Sequence, residues 1–143
     1  MPGYSGTPLP KKLGIKDGFR VALLHAPADV KTELHPTLNK CQLSKLPAND
    51  IDFIFLFAKN RAALEGALTD AARALAPTGM LWVAWPKKSS GVPTDLVEDT
   101  VRKAGLTSGL VDIKVCAVTD VWSGLKFVIP MKDRPTKDRP KVR

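Results

Sequence analysis

The segment Ile51-Asp52-Phe53-Ile54-Phe55-Leu56-Phe57 decides the fold class. It is a run of β-branched and aromatic residues, the pattern of a strand that a parallel sheet buries on both faces. Apolar residues recur at helical spacing directly after it and predict an amphipathic helix from Arg61 to Ala76, ended by Pro77 and Gly79. A buried strand followed by such a helix is the repeating unit of a parallel α/β sheet.

Further strand and helix patterns lie on the N-terminal side of this unit. Residues 19–24 predict a first buried strand, because an apolar run follows the turn pair at residues 17–18. A short helix is predicted near Asp29 to Leu34, ended by Pro36, and residues 40–43 are a weak candidate for a second strand.

On the C-terminal side, residues 80–85 predict a strand, and a helix is predicted to begin at Thr94 or Asp95 and to end at Gly105. Two final strands, at residues 111–118 and 125–129, are joined by a short connection that favours an antiparallel hairpin. Together these elements predict an α/β fold, a Rossmann-like three-layer sandwich with a mainly parallel sheet and a C-terminal antiparallel hairpin.

Length and composition predict a single folded domain with distinct ends. A chain of 143 residues with 44% apolar residues is typical of one globular domain. We expect an N-terminal wrapping segment at residues 1–18, the α/β domain at residues 19–130 and a basic, extended tail at residues 131–143. The tail holds six Lys or Arg and two Asp, so it carries half of the net charge of +8.

The compartment is predicted from what the chain lacks. No stretch reaches the ~20 apolar residues that cross a bilayer, and the N-terminus has no basic region followed by an apolar one. The two cysteines, Cys41 and Cys116, lie in apolar surroundings, which suits buried, reduced thiols. We therefore expect a cytoplasmic protein that makes no contact with membranes.

Two resemblances add to this reading. Six short runs resemble a family of bacterial domains of unknown function: GYSGTPL at residues 3–9, KLGI at 12–15, WVAWPKK at 82–88, GVPTDL at 91–96, DIKVCAV at 112–118 and WSGLK at 122–126. The element order over residues 51–129, with its turn at residues 75–79, resembles the second half of class I S-adenosylmethionine-dependent methyltransferases. Both resemblances imply a fold and leave the activity open.

A nucleotide-type cofactor would require glycines after the first strand and an acid after the second. The first strand is followed by His25-Ala26-Pro27, and the candidate second strand has no acid at its end. No cofactor is therefore predicted. The chain is expected to keep the sheet of cofactor-binding proteins without their cofactor-binding site.

Basic and hydroxyl side chains follow the predicted strands and are expected to meet at the carboxyl edge of the sheet. Such a group would hold a phosphate or carboxylate; the alternative is that these lysines are merely solvated. With His25 and Asn60 beside them, the candidate ligand-binding residues are Lys59, Arg61, Lys87, Lys88, Ser89, Ser90 and Trp122.

The tryptophans and histidines are interpreted from their spacing. Trp82 and Trp85 are three residues apart on one strand and so face opposite sides, which places at least one of them in the core. Trp122 is predicted to lie in a surface loop. No metal-binding spacing surrounds His25 or His35, and no nucleophile motif frames the serines, so neither a metal site nor a catalytic set is predicted.

Three functions remain open from the sequence. The first is a non-catalytic binding module for an anionic small molecule or an acidic partner surface at the carboxyl edge of the sheet. The second is a divergent S-adenosylmethionine-dependent methyltransferase-like enzyme. The third is association with nucleic acid through the basic tail at residues 131–143, which would depend strongly on salt.

Overall fold

A computed structural model of the chain describes residues 7–134, and the predictions for residues 1–6 and 135–143 lie outside the described residues. The helices and strands follow one another in a nearly regular alternation. Their bounds are α1 Leu9–Leu13, β1 Arg20–Leu24, α2 Ala28–Leu38, β2 Gln42–Leu43, β3 Ile51–Phe57, α3 Arg61–Ala74, β4 Leu75–Pro86, α4 Glu98–Thr107, β5 Val111–Ala117 and β6 Trp122–Val128, with single 3-10 turns at Lys88–Ser90 and Met131–Asp133.

The strands form one six-stranded sheet in the order β2-β1-β3-β4-β6-β5. Strands β1 to β4 pair in parallel, and β6 runs antiparallel to both β4 and β5. The predicted α/β fold with a mainly parallel sheet and a C-terminal antiparallel hairpin is therefore confirmed. The chain extends the sheet from β1 to β2 on one side and then from β3 onward on the other, so the strand order reverses between β1 and β3.

Helices cover both faces of the sheet. On one face α1 and α2 bury Leu13, Val30 and Leu34 against Phe55 and Trp82. On the other face α3 and α4 cover a second apolar cluster, whose members include Ile54, Leu64, Leu68, Val101 and Leu125. The sheet between two helical layers is the predicted three-layer arrangement, and Trp82 and Trp85 face opposite layers, as their spacing predicts.

The N-terminal segment contributes to the core as far as the structure describes it. Leu9, Leu13 and Ile15 are buried in the cluster on the α1 and α2 face. The backbone carbonyl of Leu13 accepts a hydrogen bond of 2.9 Å from the indole Nε1 of the buried Trp82. This bond satisfies the polar atom of a fully buried tryptophan, so residues 9–15 are part of the folded unit.

The predicted C-terminal ends of two helices, α2 and α3, are wrong. Pro36 lies inside α2 instead of ending it, because a proline in the last turn removes only one helical hydrogen bond, and the Asn39 N–H still donates to the His35 carbonyl at 3.0 Å. Helix α3 ends at Ala74, before Pro77, because Leu75 already pairs with Ile51 of β3. Strand β4 therefore begins at Leu75 and contains Pro77 and Gly79.

Gly79 permits an irregularity in the pairing of β3 with β4. The register shifts between Ile51 and Phe53, so the backbone near Gly79 crowds the end of β3. A Cβ atom at Gly79 would lie 2.8 Å from the carbonyl oxygen of Ile51, which is too close for any side chain. Gly79 therefore does not stop the helix, contrary to the prediction, and instead allows a close approach of two backbones in the sheet.

Gly105 is likewise not a helix end, since it lies within α4 and faces β6. A Cβ atom there would lie 2.1 Å from Cε1 of Phe127, a side chain that is fully buried. The missing side chain lets α4 approach the sheet closely enough for the Phe127 ring to pack against the helix backbone. The packing of α4 therefore depends on this glycine.

Replacing Gly105 by Ala should lower the free energy of unfolding by about 1–3 kcal/mol, because the buried Phe127 ring has to move to admit a methyl group. Gly66→Ala is the matched control, since Gly66 is also inside a helix and a Cβ there meets no atom within 4 Å. The control should gain up to about 1 kcal/mol from the higher helix propensity of alanine. Urea unfolding of both variants measures the difference, and equal effects would contradict this account of α4.

Candidate functional site

A groove opens where the strand order reverses, at the carboxyl ends of β1 and β3. It has a volume of about 600 Å³ and is open to solvent on one side. In doubly wound sheets, ligands bind in the crevice at this place, because the loops diverge from it toward opposite faces. The lining residues come from the loops after β1, β3 and β4, from the end of β3, from the first turn of α3 and from the hairpin: His25, Pro27, Phe57, Ala58, Lys59, Asn60, Ala63, Val92, Val121 and Trp122.

The floor of the groove is aromatic. The rings of Phe57 and Trp122 meet edge to face, with centroids 5.0 Å apart and planes at 81°. This arrangement holds both rings in place and stabilises them beyond the area that they bury. The groove therefore has an apolar base that is fixed by packing within the core.

Trp122 does not lie in a surface loop, so that prediction is wrong. It begins β6, pairs with Pro86 of β4 and is 8% exposed. The reason is a tight turn: the Thr119 hydroxyl oxygen accepts hydrogen bonds from the N–H groups of Val121 and Trp122, both at 3.1 Å. A threonine that bonds to the backbone two residues on is a known turn signal, and it could have shortened the predicted loop.

His25 shapes the rim on the β1 side. It directly follows β1, and its backbone lies in the left-handed region, with φ of 62°. This conformation disfavours residues that carry a side chain, and glycine usually supplies it. The loop after β1 therefore turns sharply at His25 and places an exposed imidazole at a position whose backbone conformation favours glycine.

Lys59 and Asn60 form the rim on the β3 side. Asn60 caps the N-terminus of α3, and its side-chain Oδ1 accepts a hydrogen bond of 2.8 Å from the Ala63 N–H. Asp95 also contacts this helix end, because its Oδ1 accepts from the Arg61 N–H at 2.8 Å. The N-terminus of α3 is thus satisfied by two side chains, and Lys59 is left exposed at the edge of the groove.

The capping by Asp95 corrects the predicted start of α4. Thr94 and Asp95 do not begin that helix, which starts at Glu98. Asp95 turns instead toward α3, and the Thr94 hydroxyl oxygen accepts from the Leu96 N–H at 3.0 Å in a local turn. A cap supplied from another segment cannot be seen in a local sequence pattern, which explains the error.

The basic and hydroxyl side chains predicted to meet at the carboxyl edge of the sheet lie in three separate places. Lys59 lines the groove together with His25 and Trp122. Arg61 points elsewhere: its Nη2 lies 3.3 Å from Oε2 of Glu65, and both side chains are well exposed. Arg61 lines a second groove of about 520 Å³ between α3 and α4.

The loop after β4 holds the remaining predicted residues, Lys87, Lys88, Ser89 and Ser90. The Lys87 N–H donates to the Val121 carbonyl at 2.8 Å, which ties this loop to the hairpin turn. The Ser90 hydroxyl donates to the Lys87 carbonyl at 2.6 Å and accepts from the Val92 N–H, so it closes the turn. Lys88 and Ser89 are exposed, and this loop places Val92 in the groove.

The two thiols are free and half-buried. Burial raises the pKa of both Cys41 and Cys116 above the ordinary value, which disfavours the thiolate form of each. Within residues 7–134, no group of three or more His, Cys, Asp or Glu side chains is placed to hold a metal ion. In that same range no helix is long and apolar enough to span a bilayer.

The family is decided by a match over most of the chain. A model of the family described as "Protein of unknown function (DUF3052)" matches residues 10–131. This chain is a DUF3052 protein. The match covers every strand and helix except the first residue of α1, so the family description applies to the whole fold. No curated protein matches this DUF3052 chain.

Solved structures similar to this DUF3052 fold include S-adenosylmethionine-dependent methyltransferases. One is a chain from the complex of the Haloferax volcanii Trm112 methyltransferase activator with a protein described there as a methyltransferase, with TM-score 0.63 and 12% identity over 85% of this chain and 87% of that one. A second is an S-adenosylmethionine-dependent methyltransferase from Aquifex aeolicus, with TM-score 0.59 and 15% identity over 83% and 87%. A third is the [4+2]-cyclase SpnF, with TM-score 0.59 and 10% identity over 85% and 79%.

These similarities show the fold and do not show that the cofactor binds. An S-adenosylmethionine site of the usual kind needs an acid after the second strand to hold the ribose hydroxyls. Here β2 is followed by Ser44 and Lys45, and among the described residues no carboxylate lines the groove. Lys59 also adds positive charge to a site that would have to accept a sulfonium cation. The residues present therefore do not fit this cofactor.

The contribution of each of the two capping side chains of α3 to the free energy of unfolding should be measurable. Asn60→Ala and Asp95→Ala should each lower the free energy of unfolding by about 1 kcal/mol, because each leaves a helical N–H without its partner. Asp70→Ala, at an exposed position inside the same helix, is the control and should change stability by less than about 0.5 kcal/mol. Thermal unfolding ranks the three, and an effect of Asp95→Ala no larger than the control would contradict the cap.

Proposed function

We propose that this DUF3052 chain is a non-catalytic binding domain whose ligand is a small anionic molecule with a flat apolar part. The groove at the carboxyl ends of β1 and β3 is its site. The observation that carries this proposal is the combination of an aromatic floor with an exposed lysine at the one place where a doubly wound sheet binds ligands. The volume of about 600 Å³ lies in the range of small-molecule sites, which favours a small ligand over an acidic partner surface.

The apolar part of the ligand would lie against the floor. Phe57 and Trp122 line it with 2% and 8% of their surface exposed, and Pro27, Val92 and Val121 line it beside them. These side chains come from the ends of β3 and β6 and from three loops, and they offer an apolar surface without hydrogen-bonding groups of their own, apart from the indole. Such a surface gains free energy by covering an aromatic or heterocyclic group, at roughly 25 cal/mol per Å² of apolar area removed from water.

The anionic part of the ligand would meet Lys59. This side chain is exposed at the rim and makes no ion pair among the described residues, so its charge is available. His25 faces the same groove from the loop after β1 and can donate a second hydrogen bond. The α3 N-terminus adds little, because Asn60 and Asp95 already occupy its first N–H groups.

A second candidate is a methyltransferase-like enzyme that takes an S-adenosyl compound. Its support is the position of the groove and the fold similarity with TM-score 0.63. Its weakness is the histidine after β1 and the lysine after β2, where an ordinary site uses glycine and an acid. The proposed partner class would then include a protein such as the activator solved with the Haloferax chain. Binding of nucleic acid by the tail at residues 131–143 stays a separate prediction.

The deciding experiment is a thermal-shift screen followed by calorimetry on the full chain. The panel holds nucleotides, sugar phosphates, aromatic carboxylates, S-adenosylmethionine and S-adenosylhomocysteine. A ligand at ~100 times its dissociation constant should stabilise the fold by about 2.7 kcal/mol. Lys59→Ala should then weaken binding of an anionic hit by about tenfold or more, the loss expected for one charge-assisted hydrogen bond, with little change in Tm.

Lys103→Ala is the matched control, because Lys103 is an exposed lysine on α4 that does not line this groove. Its affinity for the hit should equal that of the unaltered protein. Undiminished binding in Lys59→Ala would overturn the proposed site. If calorimetry gives a heat of binding with an S-adenosyl compound and none with any anion, the methyltransferase-like enzyme replaces the binding domain as the proposed function.

A further inference from the structure

The positive charges on the two faces of the C-terminal hairpin differ in their ion pairs. On the α4 face, Arg102 meets three carboxylates: its Nε lies 3.0 Å from Asp112 Oδ2, its Nη1 lies 3.0 Å from Asp99 Oδ1, and its Nη2 contacts Glu98. These hydrogen bonds raise the pKa of Arg102. This cation is fully neutralised, and it joins α4 to β5.

The opposite face of the same two strands carries a pair of lysines. Lys114 of β5 and Lys126 of β6 are directly opposite each other in the antiparallel register. Lys126 is also paired with Trp82 of β4, whose side chain lies in the cluster on the α1 and α2 face, so both lysines project to that face. Among residues 7–134 neither forms an ion pair.

This arrangement is unfavourable for the protein alone. Like charges directly opposite each other on a sheet face are destabilising. Burial lowers the pKa of the Lys126 ammonium, and the neighbouring Lys114 lowers it further. An anion between the two side chains would remove this repulsion.

Protection of a sheet edge does not account for the pair. A lysine on an edge strand discourages pairing with other chains, and Lys114 on β5 could serve in that way. Lys126, however, is on β6, which has β4 on one side and β5 on the other. A strand with neighbours on both sides has no free edge to protect, so protection of an edge does not explain Lys126.

A third ammonium group lies close by. Lys12 of α1 extends to β5, where its Nζ donates to the Ala117 carbonyl at 2.9 Å. Cys116 lies on the same strand between Lys114 and Ala117, and burial raises the pKa of its thiol while the charges of Lys12 and Lys114 oppose that rise. Three elements, α1, β5 and β6, thus bring positive charge to one patch, and none of these three lysines lines the groove.

We propose that Lys114 and Lys126 form a second anion site, which takes the dianionic phosphoryl group of a small molecule or of free phosphate. Two ammonium groups on one face match two negative charges, and Lys12 adds a further donor at the border. This site is independent of the groove, and its failure would leave the proposed function untouched.

The test is chemical acetylation of the full chain, read residue by residue by mass spectrometry. Lys126 is compared with exposed Lys88 in the same sample, so changes in reagent concentration cancel. Buffers with inorganic phosphate, pyrophosphate or chloride are matched in ionic strength. Bound phosphate should lower the ratio of Lys126 to Lys88 acetylation roughly tenfold, because a neighbouring anion favours the protonated, unreactive form of the Lys126 amine.

Lys114→Gln should abolish this protection, because one half of the site is gone, whereas Lys103→Gln on the opposite face should keep it. Phosphate should also raise the Tm of the unaltered protein and of Lys103→Gln but not that of Lys114→Gln. The proposal is overturned by an unchanged ratio or by protection that persists in Lys114→Gln.

Discussion

Strand β3 joins the two halves of the molecule. It pairs in parallel with β1 on one edge and with β4 on the other, and its Phe and Ile side chains enter both helical layers. Phe53, Ile54, Phe55 and Leu56 are all fully buried, so each contributes about 1.5–3 kcal/mol by leaving water. A polar substitution here would remove the common base of both clusters.

The position of the candidate site follows from the same strand. Because β1 leads to α2 on one face and β3 leads to α3 on the other, their following loops separate and leave a groove between them. The sheet places His25 and Lys59 on the two sides of this groove, whatever the loops contain. The fold therefore supplies the cavity, and the loop residues determine which ligand it accepts.

Regular patterns predicted the sheet, but contacts between distant segments determined the site. Strand β3 was predicted at its observed bounds because burial on both faces leaves a continuous apolar run. The mistakes at Pro36, Gly79 and Gly105 have one origin, since a local rule cannot show what the residue packs against.

The loops of the site show the same limit. Lys59 was predicted because it follows a strand, whereas Val92 and Val121 line the groove through loop paths that no periodicity encodes. The pairing of Lys114 with Lys126 likewise depends on the hairpin register. The sequence does not give that register, and the predicted bounds of the last strand, residues 125–129, differ from the observed bounds of β6.

The most direct test of the binding site is a crystal of the full chain soaked with a mixture of small aromatic carboxylates and phosphates. The account predicts a molecule in the groove between β1 and β3, with its ring against Trp122 and its anionic group within hydrogen-bonding distance of the Lys59 Nζ. Molecules bound in the groove between α3 and α4, with none at the carboxyl ends of β1 and β3, would contradict it.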